Sequence, residues 1–256
     1  MQKTSWKYKR ILNHVFFKLR TFPKFARHLK NVIYQLRLLI RQGKAGSADA
    51  AVEKIYSEKH HYLYVANPKV ATRSLINYFE SHDAASMVFN HQAITRFLAE
   101  QPAIQHYFRF SFVRNPWAKV YSSWLDKITN QHKFCDASII SRFKGLYPDM
   151  PFAAFVEWLS SEEGSDQRAD RHWMSQCELL GGSKVLADYD FIGRLENIEH
   201  DFRQVAKQLS IGPETLPTLN LNQSDPTEYR KHYTQTTQDL VAKRYANDIQ
   251  SFGYEF

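Results

Sequence analysis

HYFRFSFVRNPWAKVYSSW, residues 106–124, is the stretch that decides the fold. Phe108, Phe110 and Phe112 alternate with Arg109 and Ser111, the period-two pattern of a β-strand with one apolar face. Pro116 sits in a favoured first helical position, and the pattern beyond it predicts a helix through about Ile128. Upstream, HHYLYVAN (60–67) reads as a short buried strand, and Pro68 opens a loop into a helix from about Thr72 to Phe79. A second short strand is predicted around Ser86–Asn90, and ITRFLAEQ (94–101) is helical until Pro102 limits it. Downstream the pattern is helical over Pro151–Ser160, Arg171–Leu180, Glu196–Leu209 and Thr234–Phe252, interrupted by a strand at Asp190–Arg194. Such strand–loop–helix units predict an α/β fold with a central, mainly parallel sheet flanked by helices.

Around this core the charge is unevenly spread. The 256 residues carry 34 Lys+Arg against 26 Asp+Glu, a net +8. Residues 1–45 hold 12 of the basic residues and no acid, the first being Asp49. The remainder has 22 basic residues against 26 acidic ones and is therefore at −4, which makes it a poor general polyanion binder; no nucleic-acid partner is expected of it. The arm also shows a loose helical apolar pattern (Ile11, Leu12, Val15, Phe16, Leu19, then Leu29, Val32, Ile33, Leu36) broken at Pro23. Lys and Arg interrupt every apolar stretch well short of the about 20 residues a membrane span needs. No compact apolar run with a small-residue cleavage site follows the basic start, although an Arg-rich, acid-free start resembles a mitochondrial transit peptide. Two readings of the arm stand side by side: a helix pair packed on the domain, and an anchor lying on an anionic membrane surface through residues 1–45. RQGKAGSADAA (41–51) is rich in small residues and predicts a linker. The expected organisation is a basic amphipathic helical arm and linker over 1–50 and one domain over 51–256. Two cysteines, Cys135 and Cys177, exclude a disulfide scaffold and a cysteine zinc finger.

The chemistry-bearing residues fall in the two strand–loop–helix units. In YLYVAN-PKVATRS-LINYF (62–79), the loop aims backbone N–H groups and a helix N-terminus at an anion. Lys69 adds a cation, and Thr72 and Ser74 add hydroxyls. The segment lacks the GxxxxGK[ST] spacing of a Walker A loop, and an ordinary βα turn with a solvated lysine is its plainer reading. In the second unit Arg114 ends the strand and Ser122 lies two helical turns beyond Asn115. Ligands of open α/β sheets sit outside the carboxyl ends of the strands, so both loops face one crevice. Two anion sites there suit a nucleotide phosphorylated at both ends of its ribose.

PKVATRS and VRNPWAKVYSS resemble the 5′- and 3′-phosphate loops of the sulfotransferases that use 3′-phosphoadenosine 5′-phosphosulfate (PAPS). The resemblance is to the heparan 2-O-, chondroitin 4-O- and HNK-1 carbohydrate sulfotransferase group and its bacterial relatives. It extends through DYDFIGRLENIEHDFRQVAKQLSI (188–211) and the C-terminal LNQSDPTEYRKHY and LVAKRYANDIQSFGYEF, covering about residues 60–256. It implies a P-loop-like sulfotransferase fold and PAPS as co-substrate, with no metal. Lys69 would contact the 5′-phosphosulfate and stabilise the leaving phosphate, with Ala71, Thr72, Arg73 and Ser74 as further donors to it. Arg114 and Ser122 would bind the 3′-phosphate. His91, in FNHQAITRFL, sits where the 2-O branch has its base. Ala71 stands where many members have glycine, and Lys119 where they have arginine.

Elsewhere, His172 and Gln176 in RHWMSQCELL fall one helical turn apart and can line an acceptor pocket, or lie on the surface of a helix whose Trp173 and Leu180 pack inward. Glu196 reads equally as a first-turn helix carboxylate. The expected activity is transfer of the sulfuryl group to a carbohydrate hydroxyl by in-line displacement. A nucleoside-phosphate kinase-like phosphotransferase and a non-catalytic membrane or nucleic-acid adaptor working through the arm are the alternatives. Eukaryotic members of the resembling group sit in the Golgi behind a membrane anchor. A chain starting at Met1 without one is expected to be a cytoplasmic enzyme able to rest on the inner membrane face.

Overall fold

The computed structural model describes residues 52–83, 87–88, 93–129, 140–216 and 226–256. The basic arm with its linker, His91 and Cys135 lie outside the described residues.

A five-stranded sheet forms from β1 (Lys54–Ser57), β2 (Tyr62–Val65), β3 (Met87–Val88), β4 (Phe108–Val113) and β5 (Phe191–Arg194), in the order β3-β1-β2-β4-β5. β2–β4 and β4–β5 pair in parallel, whereas β1–β2 and β1–β3 pair antiparallel. The sheet is thus mixed rather than mainly parallel. The cause is β1: it is close enough in sequence to β2 to pair as a hairpin, across a turn in which His61 adopts a positive φ of 49°. The parallel half is the half that carries the two predicted loops.

β2 is buried along its whole length, as a central strand covered on both faces must be. Tyr62 and Tyr64 join Phe110 and Phe112 of β4 in one core with α1 (Thr72–His82) and α7 (Ile198–Leu209). Leu63, Val65 and Val113 point the other way, into a core shared with α2 (Ile94–Glu100), α5 (Gln176–Leu179) and the end of α9 (Ala246–Phe252). Arg109 and Ser111, the polar residues of the alternating strand, are therefore buried too, and the Ser111 hydroxyl donates to Val65 O at 2.7 Å. Gly193 is dictated by close approach: a Cβ there would stand 2.4 Å from the Phe112 ring.

A third core packs α3 (Pro116–Lys127) against α4 (Phe152–Leu159) and α8 (Gln235–Arg244). The expected single C-terminal helix is broken at Tyr245, whose buried hydroxyl donates to Trp173 O at 2.6 Å. A short helix α6 (Ser183–Leu186) leads into β5.

Candidate active site

Because β2 and β4 are parallel neighbours, their carboxyl ends open side by side. Residues 66–71 leave β2, residues 114–115 leave β4, and the Arg114 guanidinium donates from Nη1 to Lys69 O at 3.3 Å. The first loop turns tightly. Lys69 and Ala71 both adopt left-handed backbone (φ 70° and 46°), and the Thr72 hydroxyl closes back onto Asn67 O. Ala71 is the N-cap of α1, which has no side-chain cap and no acid in its first turn. That leaves a helix terminus of positive polarity without its usual side-chain acceptor. The left-handed φ at Ala71 also explains why glycine suits this position: a Cβ there costs about 1 kcal/mol.

Lys69 is poised on α3. Its Nζ lies 2.9 Å from Asp126 Oδ2, which also takes Lys127 Nζ at 3.3 Å. Burial pulls the Lys69 ammonium below its usual range, with Asp126 opposing. Burial would raise the Asp126 carboxyl, but the two lysines outweigh it and hold it low. Nothing in the spacing of the sequence points to Asp126, which pairs with Lys69 across 57 residues.

Arg114 is fastened through its backbone: its N–H donates to Gln176 Oε1 (2.9 Å) and its carbonyl accepts from Gln176 Nε2 (2.7 Å). Gln176 Oε1 also accepts from Asn67 Nδ2 at 2.9 Å. One side-chain amide therefore ties the ends of β2 and β4 together. Asp248 of α9 holds Gln176 from behind, accepting from the backbone N–H groups of Gln176 and Cys177 at 2.8 Å each and from Gln176 Nε2 at 3.4 Å. Gln176 is fully buried and presents no surface to an acceptor, so the pocket-lining expectation is corrected to a clamp. Its partners are 62 to 109 residues away, beyond the reach of local pattern.

The expected helix over 171–180 is reduced to α5. His172 sits in the turn before it, because its backbone N–H and its ring Nδ1 both bond Asp170 Oδ1. Ser122 is half-buried on α3, Thr72 is half-buried, Ser74 is buried and Arg73 is exposed on α1. Lys119, the residue in place of an arginine, does not reach the crevice. It is buried and donates from Nζ to Met174 O at 2.7 Å, and burial lowers its pKa to about 8. Glu196 accepts from Asn115 N (2.7 Å) and the Tyr254 hydroxyl (3.0 Å), bracing the start of α3 rather than its own helix alone.

The fold and these loops define an α/β domain in which the loops leaving two parallel strands meet, joined at Lys69 O. The chain belongs to the sulfotransferase family, whose model matches residues 53–255. Carbohydrate sulfotransferase 14 of Danio rerio is 26% identical over 231 residues, covering 78% of this chain and 61% of that protein. The human carbohydrate sulfotransferase 14 is 29% identical over 181 residues, 62% of this chain and 47% of that protein. Carbohydrate sulfotransferase 10 of Danio rerio is 23% identical over 177 residues, 59% of this chain and 48% of that protein. The chain thus spans about half to three-fifths of the length of these relatives. No solved structure matches it. The relatives overturn the cytoplasmic placement. They are carbohydrate sulfotransferases of animals, a group for which a compartment behind a membrane anchor is the rule, and a partial span leaves the start of this chain without bearing on compartment. No described helix is long and apolar enough to cross a membrane.

Proposed function

We propose that this domain transfers the sulfuryl group of PAPS to a hydroxyl of a carbohydrate, on a P-loop-like sulfotransferase scaffold. The observation that carries this reading is the joining of the two loops: Lys69 and an uncapped helix on one side, Arg114 on the other, bonded at Lys69 O. That arrangement fits a nucleotide with two phosphate groups, one met by backbone N–H groups and an ammonium, the other by a guanidinium.

In this reading the α1 N-terminus (Ala71, Thr72, Arg73, Ser74) and Lys69 receive the 5′-phosphosulfate, and Arg114 with Ser122 receives the 3′-phosphate. In-line displacement places an acceptor oxygen opposite the bond to the 5′-phosphate. As that bond breaks, negative charge gathers on the phosphate, where Lys69 and the loop N–H groups stabilise it. Asp126 positions Lys69 for this and keeps the ammonium charged against burial. The glycan acceptor is supported by the relatives' names, and His91 stays the expectation of the resemblance for the base. Contact of residues 1–45 with an anionic surface belongs to the same proposal; loss of liposome co-sedimentation on deleting them is expected.

The test is transfer from radiolabelled PAPS to a panel of unsulfated glycans, with linkage analysis of the product. Label incorporated into a glycan, and lost in Lys69→Ala, is the expected result. Incorporation unaffected by Lys69→Ala overturns the assignment of the crevice.

A further inference from the structure

Two neighbouring stripes of α3 hold the β2 loop and the segment before α5. Residues three or four apart on a helix share a face. Asn115, Ser122 and Asp126 form one stripe, and Asp126 holds Lys69 of the β2 loop. Lys119, Ser123 and Lys127 form the next stripe, which faces the segment before α5. Lys119 Nζ donates to Met174 O at 2.7 Å, and the Ser123 hydroxyl donates to His172 O at 2.7 Å. Gln176 of α5 ties that segment to the β2 loop, accepting from Asn67 Nδ2 at 2.9 Å. Ser123 and Asp126 are three residues apart on α3, so one turn of the helix holds both the His172 backbone and the Lys69 ammonium.

The imidazole is set up for proton transfer. Nδ1 bonds Asp170 Oδ1, which fixes the ring and leaves Nε2 as the free acceptor in the neutral form; among the described residues none bonds Nε2. Asp170 is itself anchored by the His172 N–H (3.0 Å) and Arg142 (3.4 Å). Burial would raise the Asp170 carboxyl, but the His172 contacts and Arg171 hold it well below the carboxylate range. Burial pulls His172 below the usual histidine value, Lys127 and Arg171 act the same way, and Asp170 opposes them. The ring is therefore neutral at pH 7, the form a base requires. Only 15% of the side chain is exposed.

We propose that His172, oriented by Asp170, is the base that takes the proton of the acceptor hydroxyl, in place of the His91 that the resemblance implies. The assignment rests on the sulfuryl-transfer reading above. Nε2 accepts the hydroxyl proton as the acceptor oxygen forms its bond to sulfur. The sulfur–oxygen bond to the 5′-phosphate breaks, and its electron pair leaves on 3′,5′-bisphosphoadenosine beside Lys69. The imidazolium so formed is stabilised by Asp170, which remains an anion. Asp170 is a positioning residue and His172 the catalytic one.

The experiment compares wild type, His172→Gln and Asp170→Asn for transfer from PAPS to unsulfated chondroitin, heparosan and water. Binding of 3′,5′-bisphosphoadenosine is measured by calorimetry alongside. Expected are a fall in kcat of about 10²–10⁴-fold in His172→Gln and about tenfold in Asp170→Asn, with nucleotide binding within threefold of wild type in both. The wild-type rate should lose activity on acidification with a midpoint below the usual histidine value. In Asp170→Asn that limb should move to still lower pH, because the group that opposed burial is gone; a purely structural role for Asp170 does not move it. Transfer by His172→Gln within fivefold of wild type, or an acid limb unmoved in Asp170→Asn, overturns the assignment and leaves the donor site standing. So does a wild type that binds the nucleotide but transfers to none of the three acceptors. A wild type that does not bind the nucleotide overturns the sulfuryl-transfer reading and this proposal with it.

Discussion

The β2–α1 and β4–α3 units have the same plan and opposite endings. At α3, Asn115 caps the helix by accepting from Trp117 N (3.1 Å) and Ala118 N (3.4 Å), and Pro116 removes one more donor. At α1 the N-cap is Ala71, which has no side-chain oxygen to offer and sits in left-handed backbone. One helix end is closed by its own side chain, and the other carries no side-chain cap. The closed end turns the second unit into a mount for side chains, Arg114 and Ser122. In the proposed reading the open end lets the backbone itself bind, with Lys69 beside it.

The largest effect should come from the open unit. Lys69→Ala removes the ammonium at the developing charge, and a loss of about 10³-fold in kcat is expected from steady-state transfer assays. An equal loss from Arg96→Ala, exposed on α2 and away from both loops, would show that charge in general rather than position matters. Next comes the clamp common to both units. Gln176→Leu leaves Arg114 N and part of Asp248 without partners in a buried site, so a loss of about 3 kcal/mol is expected in urea unfolding. It should also weaken nucleotide binding although Gln176 touches no ligand. The helix caps give the smallest effects, of opposite sign. Asn115→Ala should cost about 1 kcal/mol through the lost cap. Ala71→Gly should raise stability by about 0.5–1 kcal/mol by relieving the left-handed backbone. A cost from Ala71→Gly would mean that the loop does not hold that conformation in solution.

The parts that local chemistry writes were legible. The Phe108–Phe112 alternation marked β4, which lies inside the expected strand over 106–116, and Pro116 marked the start of α3. β1 was not visible, since a four-residue strand that buries Lys54 carries no apolar run; its Nζ is satisfied by Val52 O at 3.1 Å. Missing β1 is what made the sheet look mainly parallel. In the site, Lys69 and Arg114 stood out because cations at strand ends have few structural uses. Gln176, Asp126 and Asp170 did not, because their partners are set by tertiary approach or, at Asp170, by a turn in a stretch whose periodicity reads as helix. Lys119 shows the reverse error: a cation in the motif that serves packing.

The central claim is that the two loops hold the two phosphates of one nucleotide, and calorimetric titration with 3′,5′-bisphosphoadenosine and adenosine 5′-monophosphate tests it most directly. Wild type should bind the bisphosphate at least about tenfold more tightly, as one added charge-assisted guanidinium contact provides. Arg114→Ala should erase that preference, while Lys69→Ala weakens both ligands together. Equal affinities in wild type, or a preference that survives Arg114→Ala, would contradict the account.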